Sequence, residues 1–155
     1  MKKTIIEVAL VLALVALIAV PVMAAAQKAS LIPCVETYGP GSTLPAPPGG
    51  GFVIFNNTSG RNNLVMTLVL QGVVPDTAYD IYLGVDVWGT PGKVGTVTTD
   101  AQGNANFHLN TSVALGTHTL NVDVTLSGSG SDIYELPGIH DSPMGGVTMT
   151  FKSKK

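Results

Sequence analysis

The chain has 155 residues, a formal net charge of −2, 12% charged residues and one cysteine. That length suits a single domain with a real core, and one cysteine excludes an internal disulfide. The weak charge, without a clustered basic face, excludes nucleic acid as the expected partner.

In chain order, Met1-Lys2-Lys3 leads into the uncharged apolar run Val8 to Val20 and then into Ala24-Ala25-Ala26. A basic head, an apolar middle and a small-residue exit predict a helical secretory signal peptide over residues 1–26, cleaved after Ala26. The run stops at Pro21, short of the roughly 20 apolar residues that span a bilayer. Glu7, and an apolar count extended to Met23, describe the alternative, an uncleaved anchor and the only route to a membrane. The expected location is extracytoplasmic, secreted or on the cell surface. Past Ala26, six cations face nine carboxylates, and Lys152, Lys154 and Lys155 read as a solvated tail.

Residues 27–51 read as a Pro/Gly-rich arm ahead of the domain. Pro33, Pro40, Pro45, Pro47 and Pro48 mix there with Gly39, Gly41 and Gly49 to Gly51, which removes backbone donors and raises unfolded-state entropy. Cys34 in this arm reads as a free or buried thiol. Leu31-Ile32-Pro33 lacks the small residue that precedes an acylated cysteine.

The β-sandwich domain is expected over residues 52–155. Strands are predicted at 52–56, 64–71, 78–86, 93–99, 104–109, 117–126, 133–136 and 147–152, from β-branched residues, alternation and intervening turn formers. In 64–71 both faces are apolar, as in a central strand. In 117–126, Leu120, Val122, Val124 and Leu126 alternate with Asn121, Asp123 and Thr125, which predicts one wet face. Asp100-Ala101-Gln102-Gly103 predicts a hairpin turn between 93–99 and 104–109. Seven to eight short strands at close spacing give an all-β, antiparallel sandwich.

Val74-Pro75-Asp76-Thr77-Ala78-Tyr79-Asp80-Ile81-Tyr82-Leu83 resembles the tyrosine corner of fibronectin type III and related immunoglobulin-like domains. The resemblance implies an immunoglobulin-like sandwich in which Pro75 sets the turn, Tyr79 pins the corner through its hydroxyl, and Ile81 and Leu83 share its parity. The stretch Gly95 to Phe107 is similar to a hairpin of secreted microbial immunoglobulin-like modules. About 70 residues follow Tyr79, more than the corner of fibronectin type III leaves.

Three histidines, His108, His118 and His140, are the first candidates for a metal or a general base. His108 and His118 fall in what reads as one hairpin, 104–109 against 117–126. Burial favours the register matching Phe107 with Leu120, which sends the two histidines to opposite faces. His140 and Asp141, with Asp132, Glu135 and Met144 nearby, make 132–146 the richest polar loop, but its spacing fits no calcium loop. No nucleophile motif, phosphate loop or zinc spacing occurs, so no cofactor is expected.

Trp88, in the loop 87–92, carries no strand role. With Tyr38, Tyr82 and Tyr134 it could form a stacking platform for a sugar ring, or cap the core. Asn56, Asn57 and Asn110 each begin an N-x-[ST] glycosylation sequon.

The expectation is an exported, non-catalytic structural or adhesion-type binding module. Its partner would be an extracellular protein or a glycan, met by Trp88, Tyr134, His140 and Asp141. A carbohydrate-binding module built on the loop aromatics is the main alternative, and a small metal-binding protein or enzyme around His140 and Asp141 is a third.

Overall fold

The computed structural model describes residues 26–34, 44–58, 63–86, 92–129, 131–137 and 146–153. The expected signal peptide, up to residue 25, lies outside them. Among the described residues the chain forms nine strands and no helix. They are β1 (Gln27–Pro33), β2 (Gly50–Asn57), β3 (Leu64–Gln71), β4 (Ala78–Val85), β5 (Gly92–Thr98), β6 (Ala105–Thr111), β7 (Gly116–Leu126), β8 (Asp132–Glu135) and β9 (Val147–Phe151).

All pairings are antiparallel, in the order β5-β4-β7-β8-β1-β2-β3-β6, with β9 on β7, and the sheet is nearly closed. It divides into two ladders that share β1. Gln27 to Leu31 pair with β2, whereas Ile32 and Pro33 pair with β8, so this strand passes from one ladder to the other. Opposite that corner, β5 and β6 end the order and meet through side chains. A Cβ on Gly95 would lie 2.4 Å from the Phe107 ring, so the ring occupies the space that only glycine leaves.

The alternation in β3 has the expected consequence. Leu64, Met66, Leu68 and Leu70 are buried, while Val65, Thr67 and Val69 are half-buried between β2 and β6. Val53, Phe55, Tyr79, Ile81, Leu120, Val122 and Val124 face the same core.

Three expectations change. First, within the expected arm Gln27–Pro33 is strand, and β2 begins at Gly50, so both contribute to the sheet ahead of Phe52. Lys28 and Ser30 are exposed while Leu31 is buried, a period of two too short to be seen beside so much proline and glycine. Gly51 is a strand residue, since a Cβ there would lie 2.2 Å from the Val69 carbonyl oxygen.

Second, the turn at Asp100 forms, with Oδ1 accepting from the amides of Gln102 at 2.9 Å and Asn104 at 2.8 Å. Yet β5 pairs with β4 and β6 with β3, so this turn carries the chain between ladders instead of closing a hairpin. Likewise β6 and β7 do not pair. The apolar face of β7 is matched by β4, with Leu120, Val122 and Val124 opposite Val85, Leu83 and Ile81, and nothing is gained from pairing with β6. Third, the second face of β7 is not wet: Asn121, Asp123 and Thr125 are all buried.

Candidate functional site

Trp88 follows β4, and His140 and Asp141 follow β8, and all three lie outside the described residues. Where their loops are anchored is described. In β7, Leu120 is paired on one side with Val85, the last residue of β4, and on the other with Val147, the first of β9. The exit toward Trp88 and the return from Asp141 therefore flank one strand, two strand spacings or roughly 10 Å apart. At the return, Gly146 has φ 113°, and a Cβ there would lie 2.3 Å from Asn121 Oδ1 and 2.6 Å from the Leu120 carbonyl. Only glycine brings the chain this close to β7.

At the exit stands a pair that sequence reasoning missed. Asp86 has φ 53°, a left-handed conformation that aspartate tolerates better than most residues. Its amide donates to the Thr119 carbonyl at 2.9 Å, and its Oδ1 accepts from the Thr119 amide at 2.7 Å. Its Oδ2 lies 2.5 Å from His118 Nδ1. The hydrogen bonds from His118 and from the Thr119 amide hold the Asp86 carboxyl below the usual carboxylate range. In return, the Asp86 carboxylate raises the His118 pKa above its ordinary value. No motif links two residues 32 positions apart, so only the fold reveals the pair.

Tyr134, expected at the ligand site, lies in the core. It is fully buried in β8, opposite Val124, and its hydroxyl donates to the Pro48 carbonyl, so no ring face is open for stacking. Tyr79 is likewise buried, between Val97 and Leu126.

Pro75 lies in the turn before β4, where Thr77 Oγ1 donates to its carbonyl at 2.7 Å. Thr99, which the sequence did not flag, also ties that turn down. Thr99 Oγ1 donates to the Val74 carbonyl at 2.8 Å and accepts from the Thr77 amide at 3.0 Å.

The remaining polar groups are scattered. His108 is exposed on β6 beside Thr67 Oγ1 at 3.2 Å, on the other ladder from His118. Asp80, Asp123 and Glu135 are buried on neighbouring strands, with Asp123 directly opposite Glu135. Asp80 is paired with Lys93 at 2.8 Å and accepts from Thr96 Oγ1 at 2.7 Å, and both bonds hold its carboxyl below the ordinary range.

Among the described residues, no group of three or more histidine, cysteine or acidic side chains is placed to hold a metal ion. Cys34 is buried, with its amide bonded to the Ile133 carbonyl at 3.0 Å. Of the sequon asparagines, Asn56 and Asn110 flank Val65 from either side, whereas Asn57 Nδ2 donates to the Thr150 carbonyl at 2.6 Å. Comparison with family models, with curated proteins and with solved structures gives no match.

Proposed function

We propose that the protein is an exported immunoglobulin-like β-sandwich acting as a non-catalytic, adhesion-type binding module, with loops 87–91 and 138–145 meeting an extracellular protein or a glycan. The observation that carries this reading is the shared anchorage of both loops on either side of Leu120. Two segments, Trp88 in one and His140 and Asp141 in the other, are anchored on the strands that flank β7, β4 and β9. Rigid β frameworks commonly present binding residues on such loops.

Export is supported by the N-terminal pattern and by the start of β1. Cleavage after Ala26 leaves Gln27, the first residue of that strand, so processing removes nothing from the sheet. The immunoglobulin-like assignment is supported by the passage of β1 between two ladders and by Tyr79 buried beyond the Pro75 turn.

A glycan and extracellular-matrix protein binding screen of wild type, Trp88→Ala and Asp141→Ala tests the proposal. Binding weakened at least tenfold by either variant is the expected result. Glycan binding lost with Trp88→Ala selects the carbohydrate reading, and stoichiometric bound metal after chelator-free purification overturns the metal-free module.

A further inference from the structure

We infer that Asp86 and His118 form a pH-responsive clamp that fastens the end of β4 to β7 at the point where the chain leaves for the 87–91 loop. Its consequence for a ligand rests on the binding reading above, but the clamp itself is read without any ligand.

The geometry is specific. Regular pairing between β4 and β7 ends at Val85 and Leu120. One step further, the Asp86 amide still donates to the Thr119 carbonyl, as in a continuing ladder. The reciprocal bond has changed character, because at φ 53° the backbone turns away and the Asp86 side chain accepts from the Thr119 amide instead. The last rung is therefore built on a carboxylate, and the other oxygen of that carboxylate rests on His118. A charge-assisted bond of this kind is stronger than its neutral counterpart, so its strength follows the charge of the imidazole.

Among the described residues, the surroundings of His118 bring it no charged partner besides Asp86. β9 brings Met149, Thr150 and the Phe151 ring, whose centroid lies 6.0 Å away, and none of these titrates. The connection before β7 brings the backbone of Ala114 and Leu115, and Gly116, whose missing Cβ would lie 3.3 Å from Nε2. The residue just past β4 is Asp86. Nε2 is buried on the side of the Ala114 and Leu115 backbone, away from Asp86.

The direction follows by linkage. His118 titrates above its ordinary 6.5 because of Asp86, so the clamp is set below that value and slackens as pH rises through the folded pKa. Asp86 titrates below its ordinary 3.8, so acid releases the clamp only beneath that point.

The test is amide hydrogen exchange on the exported protein between pH 5.5 and pH 9, corrected for intrinsic rates, with the His118 ring followed by NMR in the same samples. Protection of the Asp86 and Thr119 amides is expected to fall about fivefold on the alkaline side, the difference between a charge-assisted and a neutral hydrogen bond. The midpoint should equal that of the His118 ring and lie above 6.5, while the Ile81 amide stays unchanged. In His118→Gln and in Asp86→Asn the step should vanish with the fold retained. Flat protection through the His118 titration, or the same step in His118→Gln, overturns the clamp. Trp88, the sole tryptophan, lies two residues beyond Asp86 and gives a second readout. An emission change with the same midpoint, absent in His118→Gln, supports transmission into the loop, and a constant emission overturns it. Because no ligand enters, failure of the binding proposal leaves these results intact.

Discussion

Single side chains close the joints of this sheet. Asn63, just before β3, holds Val113 in the connection between β6 and β7 by two bonds, its Nδ2 to the Val113 carbonyl at 2.8 Å and its Oδ1 from the Val113 amide at 2.7 Å. Both groups are buried, so Asn63→Ala leaves two backbone groups unpaired and should cost about 2–4 kcal/mol, measured by urea unfolding. Thr99→Val should cost about 1–3 kcal/mol, since it strands the Thr77 amide and the Val74 carbonyl, while Thr99→Ser should restore most of the loss. The ion pair of Asp80 and Lys93 acts through pH. Because the folded carboxyl titrates below 3.8, its stabilisation is present above that value and lost as pH falls through the folded pKa. Lys93 is 46% exposed, so solvent screens the pair and the effect is modest. Lys93→Met should raise the midpoint of acid unfolding, and an unchanged midpoint would show the pair to be idle.

At the scale of elements, the alternation in the sequence located eight of the nine strands, because a period of two in β-branched residues is a local signal. β1 escaped it. Seven residues preceding a proline-rich stretch carry little periodicity, and what makes them a strand is having partners on both sides, β2 and β8. Deleting residues 27–33 should therefore expose two strand edges, uncover the core at Leu31 and abolish the cooperative melt followed by circular dichroism, whereas a chain beginning at Gln27 should melt normally. Pairing was equally illegible. The Asp100 turn could be read from Asp and Gly, but whether the strands beside it pair depends on β3 and β4, which lie elsewhere in the sequence. The seam those strands leave is closed by Phe107 over Gly95. Gly95→Ala should cost about 1–3 kcal/mol by overpacking, and Phe107→Leu in the same chain should relieve part of it, a coupling absent if the strands were merely adjacent.

For the whole molecule, Trp88, His140 and Asp141 are proposed from sequence because no strand pattern claims them. The common anchorage of their loops was not legible, since it depends on the two partners chosen by β7. Tyr134 looked available from sequence because β8 is too short to declare a buried face, and the pair of Asp86 and His118 is a product of the same long-range pairing. A nearly closed sheet whose loop-bearing strands flank Leu120 makes a spatial claim about where any partner must sit. Amide chemical-shift mapping with the partner found by screening tests that claim most directly. Perturbations are expected to concentrate at Val85, Asp86, Leu120, Asn121, Gly146 and Val147, and to be suppressed in Trp88→Ala. Perturbations confined to the far ladder, at Phe52, Thr67 and His108, with Trp88→Ala binding as tightly as wild type, would contradict it.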